Sequence, residues 1–121
     1  MEDQCSNDLK EFDDYCQKWD VFLSNGNYKQ ANVYYKKIKH IYEKIRTGDK
    51  KELFYSTLLK EYKNLRTLST ACTHMLILNI NIELAEEKLK QISKMDKEKS
   101  SAVFSSKIVL QEWEKGNLIR F

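Results

Sequence analysis

The sequence predicts an all-α protein in which six antiparallel helices stack as hairpins within a single domain. The 121-residue chain contains no proline and only three glycines, a composition that suits helices joined by short turns. Its apolar residues recur at intervals of three and four, which is the helical period. Because 41% of the residues are hydrophobic, a chain of this length can build one packed core. We therefore expect residues 1–121 to form one domain.

The first two predicted helices span about residues 7–24 and 28–46. Gly26 ends the first helix, and Asn27 caps the second with Gln30 at the capping-box position. Because the link between them is very short, the two helices are expected to fold back on each other as an antiparallel hairpin. The residues predicted to face inward are Leu9, Phe12, Cys16, Trp19 and Leu23 on the first helix, and Ala31, Tyr34, Ile38, Ile41 and Ile45 on the second.

Four further helices are predicted over about residues 50–65, 67–79, 82–95 and 101–115. Asp49, Asn81 and either Ser100 or Ser101 are the candidate caps of the third, fifth and sixth helices. The fourth helix is almost free of charge and is predicted to occupy the centre of the core. The inward residues are expected to be Leu53, Leu58, Tyr62 and Leu65; Leu68, Ala71, Cys72, Met75, Leu76 and Ile77; Leu84, Leu89 and Ile92; and Phe104, Ile108 and Trp113.

The charges are spread unevenly although the net charge is only +3. Residues 1–20 hold seven acidic and two basic side chains, whereas residues 28–66 hold eleven basic and four acidic ones. Such asymmetry can steer a charged partner, although charged helix faces are also ordinary solvated surface. The candidate partner-binding residues are Asp8, Glu11, Asp13 and Asp14 for a basic partner, and Lys36, Lys37 and Lys39 for an acidic partner.

The sequence contains no recognisable catalytic or ligand-binding motif. His40 and His74 lie far apart, and neither stands at metal-ligand spacing from another histidine, cysteine or acid. Nucleophile elbows, phosphate-binding glycine loops and zinc-protease motifs are absent. We therefore predict no catalytic residues, no cofactor, no metal and no small-molecule substrate, and we expect the protein not to be an enzyme.

The cysteines and the hydropathy pattern indicate where the protein works. Cys5, Cys16 and Cys72 are odd in number and lack the paired spacing of zinc or redox motifs, so reduced thiols are expected. The charge-free stretch over residues 67–81 is too short and too polar to cross a bilayer, and no signal peptide is expected at the start of the sequence. A cytoplasmic protein without a membrane partner is predicted.

The second helix also raises a weaker alternative, direct binding of nucleic acid. Its lysines alternate with tyrosines, and basic groups combined with stacking groups suit a nucleic acid. An amphipathic helix with a lysine-rich outer face gives the same pattern. The tyrosines concerned are Tyr28, Tyr34, Tyr35 and Tyr42.

Two short motifs carry a family resemblance that extends from about Asn25 to the end of the chain. The first is a G-x-Y-x-x-A-N opening at residues 26–32, and the second is the closing combination of Leu110, Trp113 and Gly116. Together with the short-turned helix pairs, they resemble a family of short bacterial proteins with a HEAT-like or armadillo-like helical fold. A 34-residue echo, in which Leu76 corresponds to Leu110, is typical of such repeats.

The resemblance implies a function because relatives of this kind are similar to immunity proteins of polymorphic and contact-dependent toxin systems. Such proteins bind and silence one cognate toxin without catalysis. The expected function is therefore toxin neutralisation, with a general helical scaffold for protein–protein interaction as the alternative. Trp19, Trp113 and Gly116 are assigned structural roles, and Gly116 is expected to close the last helix in the left-handed conformation so that Leu118 folds back.

Overall fold

The structure, a computed structural model, describes residues 2–95 and 101–118. All regular structure within these ranges is α-helical, which confirms the predicted fold class. The helices are α1 (Glu2–Ser24), α2 (Tyr28–Arg46), α3 (Lys51–Glu61), α4 (Leu65–Leu78), α5 (Ile82–Ser93) and α6 (Ser101–Glu114).

The helices pack as stacked hairpins around α4. Helices α1 and α2 form the first hairpin, and α5 and α6 form another at the opposite end of the sequence. Helix α4 contacts α1, α3, α5 and α6. It is buried along most of its length, including Leu68, Ala71, Cys72, Met75 and Leu76, as predicted for a helix covered on several sides.

Two glycines end helices in the same way. Gly26 and Gly116 both have φ +74°, a conformation that favours glycine. After each of them the next amide reaches back into the helix: Asn27 N–H donates to the Phe22 carbonyl at 2.9 Å, and Asn117 N–H donates to the Glu112 carbonyl at 2.8 Å. Leu118 packs against the hydrophobic core of the domain. The predicted closing turn at Gly116 is therefore confirmed, with the fold-back that accompanies such caps.

Asparagine side chains begin two of the helices. The Asn27 side chain accepts the Gln30 backbone N–H at 3.3 Å, so the predicted cap of α2 is confirmed. The Asn64 side chain accepts the Thr67 backbone N–H at 3.1 Å and starts α4. The chain is extended at Tyr62, so α3 ends at Glu61 and not near residue 65 as predicted.

Two other predicted caps are not made by the expected side chains. Helix α3 begins after Lys50, which makes no side-chain capping bond, so Asp49 is not its cap. Asn81 does precede α5, but it adopts φ 42° without a side-chain capping bond. Ser100, the alternative cap of α6, and the side chain of Cys5 lie outside the described residues.

Four predicted core residues are instead exposed: Leu53, Leu84, Phe104 and Ile108. The difference is largest on α6, where Phe104 is 65% exposed and the buried residues are Ala102, Val103, Ser106 and Leu110. The Ser106 hydroxyl lies 2.8 Å from that of Ser69 on α4. The buried face of α6 thus includes the small side chains of Ala102 and Ser106, and Phe104 and Ile108 lie on its exposed side.

Candidate functional site

The acidic residues predicted on α1 are largely engaged in contacts within the molecule. Asp8 is only 4% exposed, and its carboxylate accepts a hydrogen bond from Lys44 Nζ on α2 at 2.8 Å. The prediction that Asp8 is available to a partner is therefore wrong. A buried carboxylate needs such a partner because burial disfavours an unpaired charge.

The neighbouring acids are also bonded inside the molecule. One Asp13 oxygen accepts the Thr67 hydroxyl of α4 at 2.7 Å, and the other accepts the side-chain amide of Gln17 at 2.7 Å. Asp14 pairs with Lys18 at 3.0 Å. Glu11 accepts the hydroxyl of Tyr15 at 3.3 Å. Of the four predicted acids, only Glu11 and Asp14 remain exposed.

The predicted basic residues of α2 have a different environment. Lys36, Lys37 and Lys39 are all exposed, and the Lys37 ammonium lies 5.4 Å from the centre of the Tyr15 ring. We call these three residues and the exposed His40 the basic ridge. The ridge borders a groove of about 450 Å³ between α1 and α2. The groove is lined by Asp8, Glu11, Tyr15, Lys36, Lys37, His40, Ile41 and Lys44.

The charge of the groove follows from these pairings. Lys44 compensates the charge of the buried Asp8 carboxylate. Among the remaining acidic and lysine side chains of the lining, Glu11 is negative and Lys36 and Lys37 are positive. Lys39 extends the basic surface along the outer face of α2. Since unlike charges attract across a solvated interface, the groove and ridge together favour an acidic surface.

The tyrosines of α2 are mostly held against α1. Tyr34 stacks on Phe22 with ring centres 5.8 Å apart and tilts against Tyr15 at 6.0 Å. Tyr35 lies 5.7 Å from Trp19. Rings packed in this way are not free to stack on nucleic-acid bases. Tyr28, which is 69% exposed, is the accessible tyrosine at the start of α2.

A buried arginine at the start of α4 was not predicted from the sequence motifs. Arg66 is 4% exposed and donates to Asp20 at 2.9 Å, to the Ser105 hydroxyl at 3.2 Å and to the Ser101 hydroxyl at 2.6 Å. Its guanidinium also lies 4.9 Å from the centre of the Trp19 ring. Arg66 thus joins α1, α4 and α6. The signal in the sequence was the position of Arg66, a single charged residue at the start of an otherwise charge-free helix.

The assigned structural residues occupy different depths. Trp19 and Trp113 are partly buried, and both pack against the hydrophobic core of the domain. Trp19 contacts Tyr35 on one side and Arg66 on the other. Gly116 closes α6 at the surface.

The buried cysteines and the buried histidine of the core are uncharged at neutral pH, which suits packing among apolar residues. Burial raises the pKa of the Cys16 and Cys72 thiols to about 12, so both remain protonated at neutral pH. Burial lowers the pKa of His74 to about 3, and its Nδ1 lies 3.0 Å from the Tyr55 hydroxyl. Among the described residues, no group of three histidine, cysteine or acidic side chains could hold a metal ion.

The part of the chain that the structure describes contains no helix long and apolar enough to span a bilayer. Comparisons with known proteins found no family model, no curated protein and no solved structure that matches this chain. The resemblance to immunity proteins therefore remains a hypothesis based on the sequence motifs.

Proposed function

We propose that this protein is a non-catalytic immunity protein that binds and neutralises a cognate bacterial toxin in a stoichiometric complex. The resemblance carried by the G-x-Y-x-x-A-N opening and the Trp113–Gly116 closing motif supports the toxin as partner. The observation that carries the choice of binding surface is the contrast between the two charged helices. Asp8 and Asp13 of α1 bond to side chains of other helices, whereas the basic ridge of α2 is exposed.

The ridge and its groove suit an acidic patch on the toxin. Lys36, Lys37 and Lys39 keep their ammonium groups in solvent, where they can raise the rate of encounter with a negative surface. The partly buried Tyr15 lines the same groove and offers apolar area beneath the charges. A polar rim around an apolar centre is typical of protein–protein interfaces.

Two alternatives remain from the sequence. Lysines of the ridge could also contact nucleic-acid phosphates, but Tyr34 and Tyr35 pack against α1 and do not offer base-stacking platforms. The packing of these rings therefore favours a protein partner. A general scaffold for other proteins is the second alternative, and it differs from the proposal in having no toxin to neutralise.

The proposal is tested by co-expressing the protein with the toxin encoded beside its gene and counting surviving cells at graded expression levels. Protection should require roughly one inhibitor for each toxin molecule. The variant Lys36→Glu with Lys37→Glu should lose protection. The matched control, Lys60→Glu with Lys63→Glu, reverses two exposed charges away from the groove and should protect like the parent.

Three outcomes would overturn the proposal. Protection by far fewer inhibitor than toxin molecules would indicate an enzyme. Equal protection by both charge-reversal variants would remove the ridge as the binding surface. Binding of the purified protein to nucleic acid, lost in the Lys36 and Lys37 variant, without any effect on the toxin would support the nucleic-acid alternative instead.

A further inference from the structure

Two turns of the molecule share one backbone geometry but differ in the residue before their glycine. Gly26 and Gly116 both have φ +74°, and each glycine N–H donates to the carbonyl three residues earlier, at 3.2 Å and 3.0 Å respectively. The amide after each glycine donates five residues back, at 2.9 Å and 2.8 Å. Asn25 precedes the first glycine, whereas Lys115 precedes the second. The two turns therefore differ in side-chain chemistry.

An asparagine followed by a glycine is prone to a reaction between its side chain and the backbone. The chain has eight asparagines, and only Asn25 is followed by glycine, since the others precede Asp, Tyr, Val, Leu or Ile. Glycine has no Cβ, so the Gly26 nitrogen is open to the Asn25 side chain and the backbone can rotate to bring them together. Larger side chains shield that nitrogen. Both residues are exposed, so water can reach them.

We propose that Asn25 is a site of spontaneous conversion to aspartate and isoaspartate, and that the conversion opens the turn between α1 and α2. Hydroxide removes the Gly26 amide proton, and the nitrogen attacks Cγ of Asn25. The bond from Cγ to the side-chain nitrogen breaks, and ammonia leaves with a proton from water. The product is a five-membered succinimide ring. Water then opens the ring: attack at Cγ gives aspartate, and attack at the main-chain carbonyl carbon gives isoaspartate.

The hydrogen bonds of the turn slow this reaction in the folded protein. The Gly26 N–H must leave the Leu23 carbonyl before its nitrogen can attack, and at 3.2 Å this bond lies at the long end of the ordinary range. Exposed backbone at a helix end opens locally at a small cost in free energy. The folded protein should therefore react more slowly than the unfolded chain, without being protected altogether.

The two products disturb the turn in different ways. In isoaspartate the main chain runs through the former side chain and gains one carbon atom at residue 25. The bond from Asn27 N–H to the Phe22 carbonyl spans this position and cannot keep its geometry. The Asn27 side chain also caps α2, so the start of α2 is loosened with the end of α1. Aspartate instead adds a negative charge at the carboxyl end of α1, where the helix dipole disfavours it. This inference does not depend on the proposed toxin binding.

The test incubates the full-length protein at mildly alkaline pH, folded and in guanidinium chloride, and maps the modified residues by peptide mass spectrometry. Isoaspartyl and aspartyl peptides are identified by co-elution with synthetic standards. Both should form at residue 25, about tenfold faster in denaturant, while Asn32 and Asn117, which are also exposed, stay intact. The variant Asn25→Gln keeps a neutral amide but would have to close a larger ring, so it should stay unmodified.

Two further measurements use the second turn as the matched comparison. Lys115→Asn places an asparagine before Gly116 and should make that turn react as well. In the isolated isoaspartyl form, hydrogen exchange of the Asn27 amide should rise about tenfold, whereas the Asn117 amide of the unmodified turn should exchange as before.

Three results would overturn the proposal. Asn25 of the folded protein could remain intact after about a hundred times the half-life in denaturant, which would show that the turn prevents the reaction. Aspartate could form without isoaspartate, which would indicate direct hydrolysis of the side chain. The Asn27 amide could exchange equally in the parent and isoaspartyl forms, which would show that the conversion leaves the turn closed.

Discussion

Helices α1 and α2 carry opposite charges in the sequence, yet they use those charges differently. On α1, Asp8, Asp13 and Asp20 accept hydrogen bonds from Lys44, Thr67 and Arg66, which lie on other helices. On α2, Lys36 and Lys39 face solvent. These three acids therefore stabilise the fold, whereas the two lysines remain exposed on the surface. A run of charge in a sequence does not by itself distinguish these roles.

The largest expected effect on stability comes from Asp20→Ala. The substitution leaves Arg66, which is 4% exposed, without its carboxylate partner. Loss of one member of a buried ion pair costs about 3 kcal/mol. Urea unfolding should show this loss. The matched variant is Asp14→Ala, whose partner Lys18 is exposed, and it should change the free energy of unfolding by less than about 0.5 kcal/mol. Equal losses in the two variants would contradict the role given to Asp20.

The next effect is a dependence of the free energy of unfolding on pH. We expect it to arise from His74, and it must be distinguished from any contribution of the α1 carboxylates. Burial lowers the pKa of His74 from 6.5 to about 3, so the unfolded chain binds the proton more readily. Stability should therefore be complete above pH 6.5 and should fall as the pH drops below it, by about 1.4 kcal/mol per pH unit.

The control for this pH effect is the double variant His74→Phe with Tyr55→Phe, which removes both members of the buried hydrogen bond. Its free energy of unfolding, measured in urea from pH 7 to pH 5, should lose most of the slope. An unchanged slope would assign the acid sensitivity to carboxylates and not to the core histidine.

A smaller loss is expected for Asp13→Ala. The Thr67 hydroxyl is buried and donates to Asp13 at 2.7 Å, and a second acceptor, Asn64, lies at the longer distance of 3.4 Å. Removing the carboxylate should therefore cost about 1–2 kcal/mol. Thermal or urea unfolding measures it. A variant as stable as the parent would mean that Asp13 is free to bind a partner after all.

The smallest effect is predicted for Lys36→Ala with Lys37→Ala. Both side chains are exposed, and the contact of Lys37 with Tyr15 is a solvated one at 5.4 Å. The free energy of unfolding should stay within about 0.5 kcal/mol of the parent value. A larger loss would show that the ridge, like the α1 acids, stabilises the fold.

The sequence predicted α2 well because local signals agree there. The bounds at residues 28–46, the Asn27 cap and the inward positions of Ala31, Ile38 and Ile41 all match the structure. On α6 the prediction of the buried face was wrong because it followed the largest apolar residues. The face is decided by contacts that a single helix does not reveal, namely the Ser69–Ser106 hydrogen bond and the reach of Arg66 to Ser101 and Ser105.

The candidate site was only partly predictable for the same reason. The basic ridge is visible in the sequence because its lysines share the outer face of one helix. The burial of Asp8 depends on Lys44, 36 residues away, and the bonds of Arg66 depend on Asp20 and Ser105, which are 46 and 39 residues away. Tertiary contacts of this kind are set by packing and not by local pattern.

The role proposed for the basic ridge is tested most directly by the rate of association between the purified protein and the toxin proposed as its partner, measured at low and moderate salt. Lys36→Glu with Lys37→Glu should slow association at least about tenfold and flatten its salt dependence, because attraction across the interface is lost. The opposing variant, Glu11→Lys with Asp14→Lys, reverses two exposed acids of α1 and should leave the rate unchanged or raise it. If the α1 variant is instead the slow one, while the α2 variant associates like the parent, the acids bind the toxin and the account is wrong.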